Sequence, residues 1–385
     1  MAAEFGLTEE HDVLRDAART FAQRELAPGA KERARENRIP SWMFEKMASL
    51  GYIGMTADPK YGGGGMDMTS AGVVIEEFGR YDLAAPHVVI TPTQFALLLA
   101  SGTEEQRQKW IPPLCEGKAV YSIALTEPGC GTDISGMKTK AVRDGDYYVI
   151  SGEKTPSTRG MQADGAFVFA RTGNEPGARG VSCIYVPFDT PGVSRSEMPY
   201  AGMIQLNCAS IFYDSVRVPV SNRVGEEGKG LSMIMQRFDV LRVLLCLVAL
   251  AQAQTSLDEV AEYAKVRKAF GQPIAKNEGI SFRIAESATK IDAARLACYR
   301  TLWMCDQGMK HSKESAMCKF WAPQVAFEVI QGCITMMGHI GYSTEAPFVQ
   351  RMLDVMGYQI GDGTAEAQKL TIVRELLGRE FLPYT

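Results

Sequence analysis

Residues 119–158, AVYSIALTEPGCGTDISGMKTKAVRDGDYYVISGEKTPST, interrupt a chain whose apolar spacing is otherwise mostly helical. Here the apolar residues come in short β-type runs, at 120–125, 137–142 and 147–150, punctuated by Pro and Gly. Further runs follow at 165–171, 181–186 and 211–218, the last broken at Pro219. After about residue 228 the helical period returns. Helices, then a block of strands, then helices predict an α+β chain of three domains, 1–118, 119–226 and 227–385, with clefts at the two junctions where ligands tend to sit.

The helical stretches carry their own punctuation. Thr8-Glu9-Glu10 reads as a helix start, with Val13, Leu14, Ala17, Ala18, Phe21 and Ala22 expected on one face. A second helix opens at Ser41 and stops at Gly51, another covers 69–78, and a short one covers about 93–100. Thr103-Glu104-Glu105-Gln106 is a capping box. Beyond the glycine-rich turn at 225–230, helical patterns at 231–265, 279–308, 312–337, 345–358 and after Gly363 predict a bundle.

Composition excludes several functions. A net charge of -4 gives no basic footprint for nucleic acid. The nine cysteines form no CxxC pair, and the four histidines share no ligand spacing, so reduced thiols in a cytoplasmic setting and no metal site are expected. The N-terminus, with Glu4, Glu9 and Glu10, has no apolar signal core. The most apolar run, 243–251, is far short of the ~20 residues a membrane span needs and reads as a core helix. Gly62 to Gly65 is followed by no GK[ST], and no dinucleotide GxGxxG occurs, so a loop is expected there.

The motifs ALTEPGCGTD, GDYYVISGEK, Phe238-Asp239-Val240-Leu241-Arg242, YAKVRKAFG at 263–271 and GDGTAEAQ at 361–368 occur in this order. Together they resemble the acyl-CoA dehydrogenase family across nearly the whole chain. The resemblance implies an α-helical N-domain, a β-barrel-like middle domain, a C-terminal four-helix bundle, FAD as cofactor and a homotetramer. It implies that Leu125, Thr126, Ser157, Thr158, Thr364 and Glu366 hold the flavin cofactor. Arg267 and Phe270 would reach the FAD of a neighbouring subunit, where a guanidinium suits pyrophosphate. Thr132, Phe238, Asp239 and Arg242 would contact the CoA moiety, and Thr91 would lie near the acyl group. Read from the residues alone, Asp239 and Arg242 are i,i+3 neighbours able to form a local ion pair.

The chain departs from the family pattern where KxWITNG is usual: it reads Lys154-Thr155-Pro156-Ser157-Thr158-Arg159-Gly160, with proline for the aromatic and Arg159 for asparagine. A glycine of the subunit-contact segment is replaced by His339. The family's catalytic glutamate is matched by Asp362, whose own bland reading is a turn aspartate between two glycines. The other place where the family carries this glutamate holds Leu241. By the resemblance, Asp362 removes the α-proton in a desolvated site, with its backbone N–H on the thioester carbonyl and an electron-transfer flavoprotein taking the electrons. One methylene fewer removes about 1.5 Å of reach. A misplacement of ~1 Å can cost on the order of 100-fold in rate. Gly361 in place of an aromatic also clears volume. Both changes point to a substrate broad at the α-carbon, and the sequence resembles dehydrogenases of cyclohexane-1-carboxyl-CoA. The alternatives are a linear acyl-CoA dehydrogenase, an enoyl- or betainyl-CoA reductase, a nitroalkane-oxidase-like flavin oxidase and a non-catalytic acyl-CoA-binding subunit.

Overall fold

The computed structural model describes residues 7–383 apart from Pro176, so Glu4 lies outside the described residues. Six helices come first: α1 (Glu9–Phe21), α2 (Ala30–Arg33), α3 (Ser41–Ser49), α4 (Met68–Gly79), α5 (Ala84–Leu99) and α6 (Glu104–Cys115). The start at Thr8 holds, with His11 standing where a capping box usually has Glu or Gln: the Thr8 N–H donates to His11 Nδ1 at 3.0 Å. Of the expected α1 face, Ala18, Phe21 and Ala22 are buried, but Val13 is 71% exposed. At 100° per residue Val13 falls about 140° away from Ala18, outside the buried stripe.

Helix α5 begins well before the expected start at about residue 93 and carries Pro92 inside it. Every residue from Ala84 to Thr93 is buried. A segment covered on all sides shows no amphipathic period, and the proline looks like a boundary, so both signals misled. The Thr103 capping box forms as expected, with Thr103 Oγ1 accepting the Gln106 N–H at 3.3 Å and Gln106 Oε1 accepting the Thr103 N–H at 3.0 Å. Thr103→Ala is expected to lower stability by about 1 kcal/mol. A urea titration with an unchanged slope and a lower midpoint would show it.

The strands are β1 (Tyr121–Ala124), β2 (Lys140–Asp144), β3 (Tyr147–Ser157), β4 (Gly165–Arg171), β5 (Val181–Pro187), β6 (Val193–Glu197), β7 (Ala209–Pro219) and β8 (Arg223–Val224). They form one sheet in the order β6-β7-β3-β2-β4-β5-β8, with β1 parallel to β4. Strand β6 had no sequence signal because it is an edge strand without a buried face. Strand β3 runs to Ser157, past the apolar run that announced it. Its pairing with β7 slips between Lys154 and Ser157, and Pro156 sits in that irregularity, where a missing N–H costs the ladder nothing.

A small hairpin, β9 (Lys268–Ala269) and β10 (Gln272–Pro273), separates two of the remaining helices. These are α7 (Gly230–Val266), α8 (Glu278–Asp306), α9 (Ser312–Met337), α10 (His339–Tyr342), α11 (Phe348–Ile360) and α12 (Ala365–Leu377). The apolar run 243–251 is the buried middle of α7. Among the described residues no helix is long and apolar enough to cross a membrane.

Buried polar contacts lock the three regions together. The Asp306 carboxylate at the end of α8 accepts the N–H groups of Met68 and Thr69 at 2.8 and 3.0 Å, capping α4 from another region. Glu76 on α4 accepts Arg295 Nε and the Tyr299 hydroxyl, each at 2.6 Å. Asp354 on α11 accepts the Met203 N–H at 2.7 Å, tying the strand region to the bundle.

Candidate active site

The turn after β1 is organised by a buried ion pair. Lys154 Nζ lies 2.8 Å from Glu127 Oε1 and 2.9 Å from the Leu125 carbonyl. The Glu127 carboxylate also accepts the Lys138 N–H at Oε2 (2.6 Å) and the Thr139 N–H at Oε1 (2.9 Å). Burial alone would raise the Glu127 carboxyl. The Lys154 ammonium and these N–H donors prevail and hold it at about 2. The Thr155 N–H donates to the Thr126 carbonyl at 2.9 Å. The stretches around Leu125–Thr126 and Ser157–Thr158, both expected at the cofactor, are therefore side by side. Ser157 is buried, and its Oγ has no hydrogen-bond partner among the described residues. Thr158 is exposed, and its carbonyl accepts Ser122 Oγ at 2.7 Å. Gly129 and Gly131 need no close approach within the chain, because a Cβ there would meet little or nothing.

The second half of the site is the turn between α11 and α12, which carries Asp362. Its backbone is left-handed, φ 56°, a region that Asp tolerates better than Glu or a branched residue. Arg242 Nε donates to the Asp362 carbonyl at 2.9 Å, and Arg242 Nη1 pairs with Asp239 Oδ1 at 3.1 Å. Lys319, buried in α9, donates to the carbonyls of Tyr358 and Gly363 at 2.6 and 3.1 Å. Two buried cations thus clamp the turn by its carbonyls. The sequence signal for Lys319 is weak, a single lysine inside the short run Met317-Cys318-Lys319-Phe320-Trp321.

Asp239 and Arg242 are turned inward: Asp239 Oδ2 also accepts Ser312 Oγ at 2.5 Å, so the local ion pair forms and its arginine serves the Asp362 turn. Asp362 is exposed in the single chain, because it stands at a turn tip between two glycines that have no side chain to cover it. Its N–H makes no hydrogen bond among the described residues. Thr364 Oγ1 accepts the Ala367 N–H at 3.3 Å and caps α12, while Glu366 lies exposed on the first turn of that helix. Thr132 is exposed beyond the 127–130 turn, and Phe238 is buried beneath the Arg242 guanidinium.

Arg267 and Phe270 are not brought to this cluster by any described hydrogen bond or ion pair. They lie at the β9–β10 hairpin, where Phe270 and Gly271 form a two-residue turn with φ 51° and 80° and the Phe270 ring is fully exposed. His339 is exposed at the start of α10.

Thr91 is buried on α5, one turn after His87. His87 Nε2 lies 2.8 Å from the Tyr358 hydroxyl. Burial, and then the charge of nearby Arg159, push the His87 imidazole down to about 3. Its folded value lies below the ordinary one, so His87 favours the fold above about pH 6.5, and that contribution is lost as pH falls toward 3. His87→Gln is expected to flatten this part of the acid limb in a melting-temperature series.

Three family models match in succession: the acyl-CoA dehydrogenase N-terminal domain over residues 8–118, the middle domain over 122–216 and the C-terminal domain over 228–377. The chain belongs to the acyl-CoA dehydrogenase family. It is 36% identical to a probable acyl-CoA dehydrogenase of Bacillus subtilis over 97% of this chain and 99% of that one. It is also 36% identical to a subunit of the caffeyl-CoA reductase-Etf complex of Acetobacterium woodii, over 96% and 99% of the two chains. Its structure is similar to that of butyryl-CoA dehydrogenase from Megasphaera elsdenii (TM-score 0.93, 31% identity, 97% and 100% coverage). It is similar also to a glutaryl-CoA dehydrogenase from Mycobacterium smegmatis in complex with FADH2 (TM-score 0.91, 25% identity, 98% and 97% coverage). As a member of this acyl-CoA dehydrogenase family, the chain is an oxidoreductase acting on CH–CH bonds.

Proposed function

We propose that this acyl-CoA dehydrogenase family member removes hydrogen across the α,β-bond of an acyl-CoA thioester, with Asp362 as the base, and that its acyl group is cyclic or branched at the α-carbon. The observation that carries the reading is the clamped turn, on which a carboxylate and an unpaired N–H of the same residue are held by two buried cations. FAD fits the residues present: the orphaned Ser157 Oγ is buried beside Thr158, Leu125 and Thr126, the stretch where the resemblance puts the ring. When bound, FAD supplies the acceptor for the β-hydride.

Asp362 takes the α-proton, and its N–H donates to the thioester oxygen as negative charge grows there. Arg242 and Lys319 fix the turn from behind through its carbonyls. Arg267 and Phe270 extend to a neighbouring subunit, consistent with a homotetramer, and exposed Val266, Phe282 and Tyr342 supply further apolar surface for assembly. Thr132 and Phe238 meet the CoA arm. An electron-transfer flavoprotein accepts the electrons, in keeping with the Etf complex named for one relative. The setting is cytoplasmic, where its nine free thiols would stay reduced.

The short base in a left-handed turn beside Gly361 favours a broad α-carbon, whereas relatives are named for linear or short acyl groups. Turnover of cyclohexane-1-carboxyl-CoA against octanoyl-CoA tests it. Preference for the ring is expected, and preference for the straight chain would discard this part. A second reading, reduction of an enoyl-CoA in the same site, is favoured by the relatives named caffeyl-CoA reductase and 3-(aryl)acrylate reductase.

A further inference from the structure

The deep cations of this site are spent on protein partners, with one exception. Lys154 pairs with Glu127, Arg242 with Asp239 and a carbonyl, and Lys319 with two carbonyls. Arg159 is only 3% exposed, yet its guanidinium makes no hydrogen bond or ion pair among the described residues. Its backbone is firmly held: φ is 58°, its N–H donates to Leu206 O at 2.7 Å, and its carbonyl accepts the N–H groups of Gln162 and Ala163 at 2.9 and 2.8 Å. The residue is therefore anchored while its charged end is left unmatched.

Burying an unpaired charge costs several kcal/mol, so a guanidinium held in this way implies a counter-charge from outside the chain. Burial lowers the Arg159 guanidinium only to about 10, and it stays charged near neutrality. Among the described residues, His87 is close enough to feel that charge, and its ring is a donor or neutral, never an anion. From His87 the polar contacts lead to the Tyr358 hydroxyl at 2.8 Å, and Tyr358 lies one helical turn before Asp362. Thr91, one turn along α5, completes a polar wall on the same side. The unmatched cation therefore belongs to the acyl end of the site.

We propose that Arg159, with His87 and Thr91 beside it, receives a carboxylate carried by the acyl group, so that the substrate is the mono-CoA thioester of a dicarboxylic acid. This rests on the acyl-CoA dehydrogenation proposed above and narrows its substrate. A guanidinium meets a carboxylate with two parallel N–H donors, and a site built for such a group rejects an analogue that lacks it, because the buried donors are then left unpaired. A second acid group is compatible with a ring or branch at the α-carbon.

The test measures kcat/KM of the flavin-loaded enzyme for succinyl-, glutaryl- and adipyl-CoA, each beside its uncharged isostere, 4-methylpentanoyl-, 5-methylhexanoyl- and 6-methylheptanoyl-CoA. The wild type is expected to favour one of the acids over its isostere by about 100-fold or more. Arg159→Met should erase that ratio and Arg159→Lys should keep part of it. A wild-type ratio near one for all three pairs overturns the proposal, and needs no variant to fold. So does an Arg159→Met protein that keeps the ratio but binds flavin weakly or at a shifted reduction potential, since the arginine then serves the cofactor. Oxidation of the uncharged thioesters alone overturns the carboxylate site and leaves the dehydrogenation standing. Oxidation of none of the six, nor of any other acyl-CoA, overturns both.

Discussion

Asp362→Ala is expected to lower kcat for acyl-CoA dehydrogenation by about 10²–10⁴, the usual worth of a positioned general base. The fold and the bound flavin should persist, because the turn is held by the Asp362 carbonyl and not by its side chain. Asp362→Asn tests the same point with shape preserved and should lose as much. Asp362→Glu adds back about 1.5 Å of reach. It should therefore move the preference from α-branched toward straight acyl chains, at some cost in stability from forcing Glu into a left-handed backbone. Stopped-flow flavin reduction with matched ring and linear thioesters separates these outcomes. Removing the clamp gives a milder and different result. Lys319→Met frees the carbonyls of Tyr358 and Gly363 without touching the carboxylate, so kcat should fall while the product stays the same.

The largest loss of stability is expected from Lys154→Met. The lysine side chain is fully buried, and its partner Glu127 is 7% exposed. Taking away one member leaves the other charged and unmatched, a change of about 3–5 kcal/mol. Replacing both residues with apolar ones of similar volume should recover part of the loss, although the N–H groups of Lys138 and Thr139 would then lack their acceptor. The pair also has a pH signature. Glu127 titrates at about 2 in the fold, below its ordinary value, so its contribution is complete above about pH 4.5 and is lost as pH falls toward 2. Chemical denaturation of wild type and Lys154→Met across this range should show a steeper acid loss in the wild type. Because the turn of Leu125 and Thr126 depends on this pair, flavin affinity is expected to fall with stability.

The chain shows which parts of such a site can be read from sequence. Long helices with one buried face were legible, and 312–337 coincides with α9. Where burial is complete, as over Ala84–Thr93, or absent, as in β6, the period vanishes and so does the signal. The motifs brought Asp362, Leu125, Thr126, Ser157 and Thr158 to notice. What they left out was the second set of residues holding the first. Glu127 and Lys154 stood inside the motifs, but they are 27 residues apart and only the sheet shows that they touch. Lys319 carried no motif at all. Arg242 had a motif and an implied role at the CoA arm, and the fold gives it work behind the base. Arg159 registered only as a departure from a family pattern, since a buried charge without a partner is visible only after the chain has folded.

The central question for this protein is whether Asp362 takes the α-proton of a CoA thioester. The most direct measurement is an anaerobic titration of the purified, flavin-loaded protein, following flavin absorbance as cyclohexane-1-carboxyl-CoA, glutaryl-CoA, octanoyl-CoA and a nitroalkane are added separately. Bleaching by an acyl-CoA in the wild type, absent over the same time in an Asp362→Ala protein that retains its flavin, is the predicted result. Bleaching by the nitroalkane alone, or equal bleaching by the acyl-CoA in both proteins, would contradict it.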